Sequence, residues 1–192
     1  MRHVGRIQMR MLRSKMIATV AFVLALGPAA YAQNVHLKPP HSNPTFFDLG
    51  LQLKASGELA GLGFGDVLVN MVATANVTAT CTNPSGANQP PGQNPAPITV
   101  AGQQVIPQTE IKNGTTPFSV TTTAPTTPIP GAPGCPNPNW TEDITQLSFT
   151  TATITVFQPA DSNTAVLTVS CTFNPATSDG PVPDSTVSCT TN

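Results

Sequence analysis

VLVNMVATANVTATC, residues 67–81, alternates two kinds of side chain without a break. Val67, Val69, Met71, Ala73, Ala75, Val77, Ala79 and Cys81 fall on one face; Leu68, Asn70, Val72, Thr74, Asn76, Thr78 and Thr80 fall on the other. A period of two belongs to a β-strand with one face against a core. At about 3.3 Å per residue the strand is unusually long, so a bulge or bend is expected near Ala73 to Ala75. Cys81 lies on the apolar face, as a buried bridge requires.

Working outward, Phe47, Leu49, Leu51, Leu53 and Ala55 alternate with Asp48, Gly50, Gln52 and Lys54, which reads as an earlier strand. A glycine-rich turn (GELAGLGFG, 57–65) separates the two. After the long strand comes a loop rich in Pro, Asn and Gly (83–97), then a weaker strand region (98–111). Asn113-Gly114 is a two-residue hairpin signal, and Pro107 and Pro117 on its arms place the expected hairpin at a sheet edge. A second proline-rich loop (124–139) carries Cys135 and leads into Trp140. Leu147, Phe149, Ile154, Val156 and Phe157 mark a further strand, turned by residues 159–163. Ala165, Leu167, Val169, Cys171 and Phe173 mark its partner, and the tail (174–192) returns to Val187 and Cys189.

No ten-residue stretch beyond position 32 has a helical apolar period. The expected fold is all-β: an antiparallel, immunoglobulin-like β-sandwich of about seven or eight strands with long Pro/Asn/Gly-rich loops. Residues 33–44 are polar and proline-broken and read as an N-terminal arm. Residues 45–192 read as one sandwich domain with a disulfide-pinned C-terminal tail.

The first 32 residues read as a cleaved signal peptide. Arg2, Arg6, Arg10, Arg13 and Lys15 precede the apolar run MIATVAFVLAL (16–26), then Gly27-Pro28 and an Ala30-Tyr31-Ala32 cleavage site. Eleven apolar residues are too few for a membrane span, which takes about 20. A secreted or periplasmic product cleaved near Ala32 is expected. It would keep three lysines and no arginine against all nine acids, a net charge of −6. That balance disfavours binding to nucleic acid or to anionic lipid.

All four cysteines (Cys81, Cys135, Cys171, Cys189) lie beyond the signal, and an even number in an oxidising compartment reads as two disulfides. Of the three connectivities, Cys81–Cys135 with Cys171–Cys189 is favoured: one bridge would staple the proline-rich loops, the other would pin the tail. A bridge between Cys81 and Cys171, both on inward faces, is the runner-up.

The blocks GELAGLG (57–63), CTNPSG (81–86), PPGQNP (90–95) and GCPNPNWT (134–141) resemble, in type and order, a group of uncharacterised exported bacterial proteins. The similarity covers about residues 55–157. It implies a bacterial source and no assigned activity, and its turn-forming blocks read as markers of fold.

Catalytic chemistry finds little support. His36 and His41 both sit in the arm, and there is no G-x-S-x-G. Glu142 and Asp143, being adjacent, point to opposite faces of a strand and read as solvated charges. His36, His41 and Asp48 do not make a structural metal set, so no metal and no cofactor are expected. The expected function is a secreted, non-enzymatic sandwich with a structural, adhesive or interaction role toward a protein or glycan partner. The alternative is a ligand-binding module, for instance for a glycan, using Trp140 and the Asn-rich loops 83–97 and 134–141.

Overall fold

The computed structural model describes residues 34–40, 43–89 and 95–192. The expected signal peptide, His41 and the middle of the first proline-rich loop (90–94) lie outside them. In chain order the strands are β1 (His36–Leu37), β2 (Thr45–Asp48), β3 (Leu53–Ala60), β4 (Val67–Thr82), β5 (Asn88–Gln89), β6 (Ile98–Ile106), β7 (Thr116–Thr121), β8 (Thr141–Phe157), β9 (Ala165–Phe173), β10 (Gly180–Pro181) and β11 (Val187–Thr191). Eight of them have four or more residues, in line with the expected count. The only helical pieces among the described residues are two 3-10 turns, Gln108–Glu110 and Asp184–Thr186.

Every pairing between these strands is antiparallel, in two sheets. The smaller sheet centres on β3, with β7 on one side, β1 and β2 on the other, and β10 beyond β2. The larger runs β6–β4–β8–β9–β11, with β5 also on β4. Leu53, Ala55, Leu59, Phe118 and Val120 of the first sheet share one core with Val67, Val69, Met71, Leu147, Phe149 and Ile154 of the second. Phe46 and Phe173 meet edge to face across the sandwich, with centroids 5.0 Å apart. The all-β sandwich expected from the alternation is what the chain forms; burying each large apolar side chain contributes about 1.5–3 kcal/mol.

β4 keeps strict alternation over its whole length. The irregularity expected near Ala73 to Ala75 falls at that point of the pairing, between Thr74 and Ala75, and a second follows between Thr78 and Ala79. In both cases the extra residue belongs to β8: Thr150 at the first, Thr145 at the second. Each bulged threonine donates its hydroxyl across the ladder, Thr150 to the Thr74 carbonyl and Thr145 to the Thr78 carbonyl, both at 3.2 Å. Inward positions on β8 therefore switch parity twice, from Glu142 and Ile144 to Leu147 and Phe149, and then to Ala152, Ile154 and Val156.

Where β6 meets β7 the two sheets nearly join. The Thr123 amide donates to the Ala101 carbonyl at 2.8 Å, and the Ser119 amide to Gln104 Oε1 at 2.7 Å. Gly102 permits this approach, because a Cβ there would stand 2.0 Å from the Thr121 carbonyl oxygen.

Two local readings are corrected. The alternation over 47–55 is not one strand: β2 and β3 are joined by a turn in which Gly50 takes φ +84° and its amide donates to Asp48 Oδ1. Phe46 and Asp48 point inward, while Phe47 and Leu49 are exposed. At Asn113-Gly114 both residues adopt positive φ, as the turn requires, but only the Lys112–Thr115 bridge closes it. β6 and β7 then go to different sheets, so the turn is a crossover between sheets. Pro117 does sit in an edge strand, since β7 pairs only with β3.

The described part of the expected arm is docked: His36 and Leu37 pair with Ala60 and Leu59, and Val35 and Leu37 are buried. Both favoured disulfides are formed, Cys81–Cys135 and Cys171–Cys189, so the runner-up is set aside. Two disulfides fit folding in an oxidising, extracellular or periplasmic compartment.

Candidate functional site

At the end of the sandwich where β8 begins, the first disulfide joins the end of β4 to the 131–135 turns. Glu142 faces inward there and is almost wholly buried, its Oε2 accepting from the Gly134 amide at 2.9 Å and its carbonyl from Ile129 at 2.7 Å. The expectation of a solvated Glu142 is overturned. Its parity on the strand directs it inward, and Gly134 leaves room where a Cβ would come within 2.5 Å of Oε1.

Trp140 lies in this region and is half-buried, with its amide bonded to the Asn137 carbonyl at 3.1 Å. The asparagines nearby hold their own turns. Asn137 Oδ1 accepts from Asn139, and Asn83 Oδ1 accepts from Ser85 and Ala87. The bridge thus brings together the loops singled out in the sequence, and two of their amides are occupied by backbone.

Of the residues considered for a metal, His41 lies outside the described residues, and His36 and Asp48 are not brought together. His36 pairs with Ala60 and Asp48 with Leu53, at opposite ends of β3, about 23 Å apart at the usual rise. Asp48 is buried, with Oδ1 receiving the Gly50 amide and Oδ2 the Thr177 hydroxyl. Burial raises its pKa, helped by the charge of Asp179 and opposed by those two hydrogen bonds. Among the described residues no group of three or more His, Cys, Asp or Glu could hold a metal ion.

The outer face of the larger sheet was not singled out in the sequence. Register aligns Thr99, Thr74, Thr151, Thr172 and Ser188 in one row across β6, β4, β8, β9 and β11. The next row holds Ala101, Val72, Thr153, Ser170 and Thr190, and a third holds Gln103, Asn70, Thr155 and Thr168. Neighbours within a row stand about 4.8 Å apart and rows about 6.7 Å apart. None of these side chains is charged. The outward positions of 67–81 carried half of the signal, but their partners become visible only with the register.

At the β6 end this face sinks into a depression of about 470 Å³. Stretches of β4 (Asn70 to Val72) and β6 (Ala101 to Gln103) line it, with Thr121 and Thr123 on the side of β7. Asn70 Oδ1 is shut off from water with no hydrogen-bond donor in reach, an arrangement that costs about 1–3 kcal/mol. Chemically, the depression offers amides, hydroxyls and one aliphatic wall, with no acid, base or nucleophile. Comparison with family models, curated proteins and solved structures yields no match.

Proposed function

We propose that the chain is exported behind a signal peptide cleaved near Ala32 and acts outside the cytoplasm as a non-enzymatic adhesive or interaction module. The observation that carries this reading is the outer face of the larger sheet, where uncharged side chains stand in register across as many as five strands. Such a face is built for contact with a surface: its backbone is fixed by paired ladders and its last strand is clamped by Cys171–Cys189. The resemblance of the GELAGLG, CTNPSG, PPGQNP and GCPNPNWT blocks to those of exported bacterial proteins favours a bacterial source.

The test is retention of the purified, labelled protein on the surface of the cells that export it. Retention is expected, with at least a ten-fold loss for Thr153→Lys, which sets a cation in the middle of the face. No retention, or retention indifferent to that change, would remove the proposal. A glycan site at Trp140 ranks second, because the indole is half-buried and Asn83 and Asn137 are engaged by their own turns.

A further inference from the structure

We infer that the partner of this face is a neutral glycan, with one sugar unit seated in the depression over Ala101 and Gly102; this rests on the interaction role proposed above. Three observations converge. First, the depression is of ligand size, about 470 Å³, within the range in which small-molecule sites fall. Ala101 contributes only a methyl group at an outward position whose neighbours carry longer chains, and the glycine at 102 lets the Thr121 backbone close in beside it.

Second, the chemistry is that of a sugar. Asn70 and Gln103 are a cross-strand pair of amides, each able to donate and accept. Thr121 and Thr123 add hydroxyls at the rim. Val72, 45 % exposed, gives an aliphatic surface for the C–H face of a pyranose. Asn70 Oδ1 is an acceptor whose need the protein does not meet. Closed to solvent as it stands, this oxygen is reached by a ligand hydroxyl only after a half-turn of the amide about χ2, which exchanges its two ends.

Third, charge discriminates among partners. The three rows hold no cation for a sulfate, a uronate or a phosphate and no anion for a basic peptide; the cation nearest in register is Lys54, which pairs with Thr121 one strand beyond the rim. The hydroxyl rows leading away from the depression extend the same neutral chemistry across β8 and β9. A linear chain can therefore lie across the strands while one unit occupies the depression.

The experiment is a glycan array probed with the purified protein, carrying neutral glucans, mannans and chitin oligosaccharides beside heparin and hyaluronate. Binding to at least one neutral glycan is expected, weakened ten-fold or more by Asn70→Leu and by Thr153→Lys. Trp140→Ala should leave it within two-fold, and melting temperatures identify any variant that fails to fold. If Asn70→Leu does not fold, Thr153→Lys and Gln103→Ala carry the test. Binding to anionic glycans alone, to no glycan, or with loss only in Trp140→Ala overturns the inference. Cell-surface retention that depends on Thr153 without any neutral-glycan binding sinks the glycan and leaves the interaction role standing; loss of both sinks both.

Discussion

Thr177 donates its hydroxyl to the buried carboxylate of Asp48, 129 residues away in the sequence, and accepts the Phe149 amide at 2.9 Å. The contact ties the turn after β2, in one sheet, to the β8 strand of the other. Because burial outweighs these hydrogen bonds, Asp48 holds its proton more tightly in the folded chain than its ordinary value of 3.8 implies. Its contribution to stability is full below that value and is lost as pH rises through the raised native pKa.

Asp48→Asn removes this dependence, since the amide stays neutral. The melting temperature of the variant, relative to wild type, should become more favourable between pH 3 and pH 7. Calorimetry at both pH values checks this, and an equal difference at the two would contradict the account.

Gln158 is buried and makes three bonds to the glycine loop: Oε1 accepts from the Gly63 amide at 2.8 Å, and Nε2 donates to the Gly63 and Gly65 carbonyls at 3.0 Å each. Gln158→Ala leaves all three backbone groups unpaired. Urea unfolding should show a loss of about 2–4 kcal/mol at net values near 1 kcal/mol per bond. An effect below the noise of the extrapolation would mean that water replaces the side chain.

Gly102→Ala places a methyl group against the Thr121 backbone, 2.0 Å from its carbonyl oxygen, where no rotamer relieves the overlap. The seam between β6 and β7 must open, at a cost of about 1–3 kcal/mol. Amide exchange should report it locally, with Thr123 losing protection more than residues of β9.

Removing the disulfides separately should cost different amounts. The Cys81–Cys135 bridge spans 54 residues and Cys171–Cys189 spans 18, so chain entropy assigns about 4 and about 3 kcal/mol respectively. Paired Cys→Ala variants compared by denaturant unfolding check the order. The reverse order would point to residual structure in the unfolded chain near the first bridge.

Much of the architecture was legible in residues 67–81, because a strand with one face in a core must alternate and these residues do. The bulge near Ala73 to Ala75 could be expected from length alone, whereas its placement on β8 could not be read from β4. A signal was present in β8, where apolar positions run Ile144, Leu147, Phe149, Ala152, Ile154 and change parity at Thr145 and Thr150. Glu142 was misread because an adjacent acid pair says nothing about which member faces inward. The alternation over 47–55 misled because the apolar pattern runs on through a turn at which the inward parity changes, from Phe46 and Asp48 in β2 to Leu53 and Ala55 in β3, and Gly50 was its one visible mark. The candidate face was illegible for a different reason: its rows join residues such as Thr99 and Thr172, whose proximity depends on pairings that no local pattern specifies.

The two bulges also govern how β8 tolerates a change of length. Excising Thr150 or Thr145 would leave every other side chain of the strand on its present face and opposite its present partner, so each is a spare link in the chain. Excising Ser148 or Thr153 instead would swing the residues up to the next irregularity onto the wrong side of the sheet. Single-residue deletions along this strand should therefore be tolerated at Thr145 and at the Thr150-Thr151 pair, whose two deletions give one and the same chain, and poorly elsewhere.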